Sequence, residues 1–170
     1  MDDDQWIAHV AAGLDADQLA FLIAWHERIR SWPRDARADL RPVDEHDGCL
    51  VVFADLVDTD HHCSLLTLAA HYDGITVRAD RVSSQHFVLP AAPSPDRLTA
   101  GGAPEELAER TASWFEDILR RRVLREEWGG RHKRVARRWL FARSGDALVV
   151  QGPQQEGQAD FIYSARTEWS

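Results

Sequence analysis

Apolar side chains in the opening thirty residues recur at helical spacing. Trp6, Ile7, Val10 and Ala11 share a face behind a cap at Asp4, until Gly13 breaks the run. A second helix is predicted from Asp15, with Gln18 placed three residues later as in a capping box. Its apolar positions Leu22, Trp25, Ile29 and Trp32 step by three, four and three residues until Pro33 stops it. Residues 34–48 are polar and acid-rich, with Pro42 and Gly48, and read as a surface loop.

The pattern then changes to strands. Cys49 to Val57 is apolar on both alternating faces until Asp55, as in a central strand covered on each side. Leu65 to Tyr72 and Ile75 to Val82 flank Asp73-Gly74, a type I′ hairpin signal. A two-residue turn there would pair Tyr72 with Ile75, Ala70 with Val77 and Leu68 with Ala79. A short strand around Gln85 to Leu89 is expected next, followed by a Pro- and Gly-rich loop over 90–103.

Pro104 opens a further helix at the first-turn position it favours. Glu105 and Glu106 near its start and Arg120, Arg121 and Arg122 near its end match the helix dipole. Leu107, Thr111, Trp114, Phe115 and Ile118 form its apolar stripe. A second meander closes the chain. A turn at Gly129-Gly130 would pair Leu124 with Val135 and Glu126 with Lys133. Another at Ser144-Gly145 would pair Phe141 with Leu148 and Trp139 with Val150, and Asp160 to Arg166 could add a last strand.

Helices at about 4–32 and 104–122, with strands at about 49–89 and 123–166, predict a single α+β domain. Two meanders would form a curved antiparallel sheet with the N-terminal helices and one central helix packed on a face.

Composition adds charge to this picture. The 170 residues carry a net charge of −8, yet residues 120–143 hold ten basic residues against Glu126 and Glu127. That strip is +8, which leaves −16 on the remainder. Three Asp and no basic residue in Met1–Gln5 argue against a standard signal peptide, and no apolar stretch approaches the ~20 residues that span a bilayer. Two cysteines, Cys49 and Cys63, form neither a CxxC motif nor a disulfide framework, so a reducing cytoplasm is the expected compartment.

Three clusters hold candidate chemistry. Asp58-Thr59-Asp60-His61-His62-Cys63 is the densest group of metal-ligand side chains. Asp60, His61, His62 and Cys63 are its weak candidate ligands, with His71, Cys49 or Asp55 to complete a shell. Adjacent residues converge poorly on one ion, so a polar hairpin loop without metal or cofactor is the expectation. In the basic strip, Arg125, Arg134, Arg137 and Arg138 occupy neighbouring positions of a predicted ribbon that could hold phosphate. Internal pairing or plain solvation is the favoured reading there. The acidic run from Asp35 to Asp60 holds eight carboxylates against Arg37 and Arg41. Within it Asp44, Glu45, Asp47, Asp58 and Asp60 are candidate contacts for a basic partner, with solubility as the plainer role.

No Gly-x-Ser-x-Gly, phosphate-binding Gly loop or His-Glu-x-x-His is present, so no catalytic residue is assigned. The leading expectation is a small acidic module that binds a protein partner, as an inhibitor or immunity-type protein does. Alternatives are a small-molecule or enzymatic pocket on the concave face of the sheet, or a nucleic-acid binder working through 120–143.

Overall fold

The computed structural model describes residues 13–33, 38–41, 48–83, 86–129, 136–153, 155, 157–167 and 169. The helix read over 4–13 and most of the 34–48 loop fall outside the described residues. The fold is α+β with antiparallel sheets, and each meander builds its own sheet. The described residues fall into two compact units. One runs to Asp55 and resumes from Thr67 to Asp117; the other takes Leu56–Leu66 and continues from Ile118.

The first unit holds helix α1 (Ala16–Ile29) and most of α2 (Pro104–Leu119). Asp15 caps α1 as its sequence promised: its carboxylate accepts the Gln18 amide at 2.7 Å, and Gln18 Oε1 accepts the Asp15 amide at 3.3 Å. The Gln18 side chain also donates to the Gly48 carbonyl at 2.7 Å. Phe21, Leu22 and Trp25 are buried on the inward stripe. Phe21 stacks on Tyr72 at 4.5 Å between centroids, and Trp25 meets Phe115 of α2 edge-on at 5.0 Å. Between the helices, Glu116 accepts both terminal nitrogens of Arg28, at 2.7 and 2.9 Å, and the Trp32 indole N–H at 2.6 Å. Trp114 sits differently from the stripe expected of it. It is only half-buried and donates its indole N–H to the Asp96 carbonyl, while Ala108, Ala112 and Phe115 supply the buried face.

The sheet of this unit runs in the order β1 (Ala38–Arg41), β2 (Leu50–Asp58), β3 (Cys63–Tyr72), β4 (Thr76–Val82) and β5 (Leu98–Gly101). The far ends of β2 and β3, Leu56–Leu66, belong to the second unit. β1 and β5 arise where the sequence read as loop. Both are four-residue edge strands, too short for alternation to announce. No strand forms over the described residues 86–89 of the stretch Gln85 to Leu89, where one was expected.

The β3–β4 register differs from a two-residue hairpin. Tyr72 pairs with Val77 and Ala70 with Ala79, so four residues, 73–76, stand between the paired positions, the last of them already in β4. The Asp73 carboxylate accepts the Ile75 and Thr76 amides at 3.0 and 2.7 Å and so spends both residues in the turn. An even shift keeps each residue on its expected face, so Leu68, Ala70 and Tyr72 remain inward.

In the second unit the strand order is β8 (Ala147–Gln151), β7 (Ala136–Phe141), β6 (Val123–Trp128) and β9 (Phe161–Ser164). Leu124 pairs with Leu140, Glu126 with Arg138 and Glu127 with Arg137, which corrects the Gly129-Gly130 hairpin register by an odd number of residues. Opposite charges facing each other at two successive positions favour this alignment. An irregularity between Trp139 and Leu140 shifts β8 by one residue, so Trp139 meets Val149 and Val150 meets Arg138. Odd shifts exchange faces. Arg125, Glu127, Arg137 and Trp139 therefore share one side of this sheet, with Glu126 and Arg138 on the other.

Candidate functional site

The exchange of faces brings together, within the second unit, two clusters that lie more than sixty residues apart in the chain. Asp58 ends β2 with its side chain 0% exposed. One carboxylate oxygen accepts the Trp139 indole N–H at 2.7 Å. The other accepts the backbone amides of Asp60 and His61 at 3.0 and 3.2 Å, which folds 58–61 into a tight turn. Arg125 NH1 lies 3.6 Å from this carboxylate, and Arg125 Nε donates to Glu127 at 3.0 Å. Glu127, 1% exposed, also faces Arg137 Nε at 3.3 Å. That contact is an ion pair without hydrogen-bond geometry, since Arg137 Nε has no hydrogen-bond partner. Tyr163 covers the Arg125 guanidinium with its ring at 4.9 Å.

His61 Nδ1 stands 3.0 Å from Arg125 NH1 and 3.3 Å from Asp58. A guanidinium only donates, so the shorter contact requires a bare Nδ1 lone pair, whereas the longer one requires Nδ1–H. We assign the lone pair to Arg125, with the ring proton on Nε2. The cluster then balances internally, two carboxylates against two guanidinium groups.

Burial pushes the Asp58 carboxyl up, but the hydrogen bonds it accepts, from the Trp139 indole and from the His61 backbone amide, help to outweigh burial and hold it below the usual carboxylate value. Cys63 moves the other way. Burial and the Asp58 charge raise its thiol, against a weak donation from Gln151 at 3.6 Å. A thiol held protonated is a poor nucleophile and a poor metal ligand. Asp60 and His62 are exposed, and His62 has φ +49° in the turn. Among the described residues, no group of three or more His, Cys, Asp or Glu is arranged to hold a metal ion.

Asp58, read from sequence as a partner contact, is thus an interior residue whose oxygens are already engaged. Arg125, read as an anion-binding side chain, is 8% exposed and committed to Glu127 and Asp58. Arg138 is 39% exposed but donates to Glu126 at 2.8 Å and lies over the Trp128 ring. Asp44, Glu45, Asp47 and Arg134 fall outside the described residues. Of the residues suggested to complete a metal shell, His71 bonds the Phe87 carbonyl at 2.8 Å, Asp55 accepts from Thr67, and Cys49 is buried.

A second feature, not visible in the sequence, lies at one end of the first unit. Burial raises the Tyr72 phenol, and the charges of Asp17, Asp15, Asp73 and Glu105 raise it further. These four carboxylates act on one hydroxyl although they come from the start of α1, the start of α2 and the β3–β4 turn. Glu106 adds a fifth acid beside Glu105, and all five residues are exposed. Each helix start gains from acids through its dipole, which accounts for four of the five locally. Ile75, in the same turn as Asp73, is 75% exposed. Its backbone is fixed on both sides, by Asp73 accepting its amide and by Thr76 pairing with Gly101.

No helix of the described residues is long and apolar enough to cross a membrane. Comparison with protein-family models, with curated proteins and with solved structures finds no match to this chain.

Proposed function

We propose that the chain is a non-catalytic module that binds a basic partner protein through the acidic end of its first unit, in the manner of an inhibitor or immunity-type protein. The observation that carries this reading is Ile75, an exposed β-branched side chain in the same turn as Asp73, at the end of the unit where Asp15, Asp17, Asp73 and Glu105 act together on the Tyr72 phenol and Glu106 is a further exposed acid. An apolar anchor inside a charged rim is the layout of protein–protein contacts, where the anchor limits dissociation and the rim governs encounter. The net charge of −8 acts in the same direction. Pairing of Arg125, Arg137 and Arg138 with carboxylates favours a protein partner over nucleic acid. Neither Cys49 nor Cys63 is in a disulfide, which accords with a cytoplasmic location as part of this proposal.

The test is affinity capture from the native host on immobilised wild type and on Asp17→Lys/Asp73→Lys/Glu105→Lys, followed by kinetics with the purified partner. Wild type should retain one basic protein that the triple variant loses. Its association rate should fall as salt rises, while Ile75→Ala should mainly hasten dissociation. A parallel reversal of Asp44, Glu45 and Asp47 measures what the acidic loop adds. Capture of nucleic acid, or of a protein indifferent to the triple reversal, would overturn the proposal.

A further inference from the structure

A cavity of about 410 Å³ opens on the first unit between β4, β5 and the segment that joins them. That volume lies within the roughly 300–1,000 Å³ typical of small-molecule sites. Arg78, Arg97 and Thr99 supply its polar lining, and Leu89, Pro90 and Pro93 form an apolar wall. Arg78 and Thr99 are direct cross-strand partners, so their side chains leave the sheet on the same face.

The wall is pinned at several points. Phe87 holds φ +54°, a conformation unfavourable for a bulky residue that persists only where its surroundings enforce it. Here His71 bonds the Phe87 carbonyl at 2.8 Å, and the ring packs on Phe53 at 4.3 Å. Farther along, the Ser94 amide donates to Asp80 at 2.9 Å, Arg81 pairs with Asp96 at 2.6 Å, and Trp114 donates to the Asp96 carbonyl. The cavity is therefore preformed and needs no ordering of its wall on binding.

Its cations, by contrast, hold no carboxylate in direct contact, although the charge of Arg78 acts at longer range on Asp73. Among the described residues, neither Arg78 nor Arg97 forms an ion pair or a side-chain hydrogen bond. Asp80, the acid in the lining, is buried, and its two oxygens already accept the Arg81 and Ser94 amides at 2.7 and 2.9 Å. Other arginines of this protein, Arg28 and Arg125 among them, are engaged by carboxylates. Two exposed guanidinium groups without a direct carboxylate partner, over a fixed apolar wall, make a site for an anion that carries a hydrophobic body.

We propose that this cavity binds a small organic anion, a carboxylate or phosphate monoester on a compact apolar group, independently of the partner surface at Ile75. The test is an NMR titration of the full chain with phenyl phosphate, with benzoate and with neutral benzyl alcohol. A saturable shift of the amides at 78–80 and 97–99 is expected from at least one anion at millimolar concentration, and the stronger anion identifies the headgroup. Benzyl alcohol should bind at least tenfold more weakly. Arg78→Gln and Arg97→Gln should each weaken the anion by about tenfold, the loss of one charged hydrogen bond. Both side chains are exposed, so the variants should keep the wild-type melting temperature. Absence of saturation, equal binding of benzyl alcohol, or indifference to both substitutions would overturn the proposal.

Discussion

Replacing Asp58 by Asn tests the account of the buried cluster with almost no change of shape. The Asn carbonyl can still accept the Asp60 and His61 amides. Its NH2 group, however, would stand 2.7 Å from the Trp139 indole nitrogen, donor against donor. An unsatisfied buried donor costs about 1–3 kcal/mol. The charge change adds to this. Arg125 lies 3.6 Å from the carboxylate, a gross attraction of about 4–5 kcal/mol at an effective dielectric constant near 20. Without Asp58, Arg125 and Arg137 would face Glu127 alone, one buried positive charge in excess. Removing one partner of a buried pair costs about 3–5 kcal/mol, and the orphaned indole is part of that same loss rather than an addition. We therefore expect Asp58→Asn to lower the unfolding free energy by about 3–5 kcal/mol, a large fraction of a typical domain's ~5–15 kcal/mol. Urea unfolding followed by tryptophan fluorescence measures it. In the double variant with Arg125→Gln the two losses should sum to less than their separate values, since the excess cation is gone. A loss below about 1 kcal/mol for Asp58→Asn, or simple additivity in the double variant, would refute the claim that these charges depend on one another.

Asp58 titrates below its unfolded value, so its contribution is fully present above about pH 4 and fades as pH falls through the lowered pKa; acid unfolding of Asp58→Asn should accordingly be flatter below pH 4 than that of wild type. Phe115→Ala, which empties a fully buried site between Trp25 and Trp32, should cost about 3–5 kcal/mol in chemical denaturation, and the half-buried Trp114→Ala distinctly less. Asp15→Ala removes one half of the α1 capping box and should cost about 1 kcal/mol, read as a lowered melting temperature. Equimolar zinc should leave the melting temperature unchanged, because His61 is taken by Arg125 and the Cys63 thiol is held protonated; a rise that His62→Ala abolishes would contradict this.

Features set by neighbours in the chain were legible from the amino acids alone. The Asp15–Gln18 capping box and the helix opened by Pro104 depend on backbone groups three or four residues away, so a linear sequence contains all their terms, whereas α1 ends at Ile29, short of the stop expected at Pro33. The antiparallel α+β class followed in the same way, from two periods of apolar spacing. Register was different. At Asp73-Gly74 one carboxylate captured two amides and lengthened the loop by an even count, which left every face as expected. At β6 and β7 the shift was odd, and the same residues changed sides. That exchange made Arg125 a buried partner of Asp58 and set both Arg125 and Arg137 against Glu127. It depends on which of several charged and apolar alignments pairs best across the sheet, an energy that belongs to the pair of strands and to neither alone. The acidic end around Ile75 and the cavity at Arg78 and Arg97 have the same origin. Sequence supplied each carboxylate and guanidinium group. Only the packing of helix starts, turn and loop decided which of them would meet and which would not.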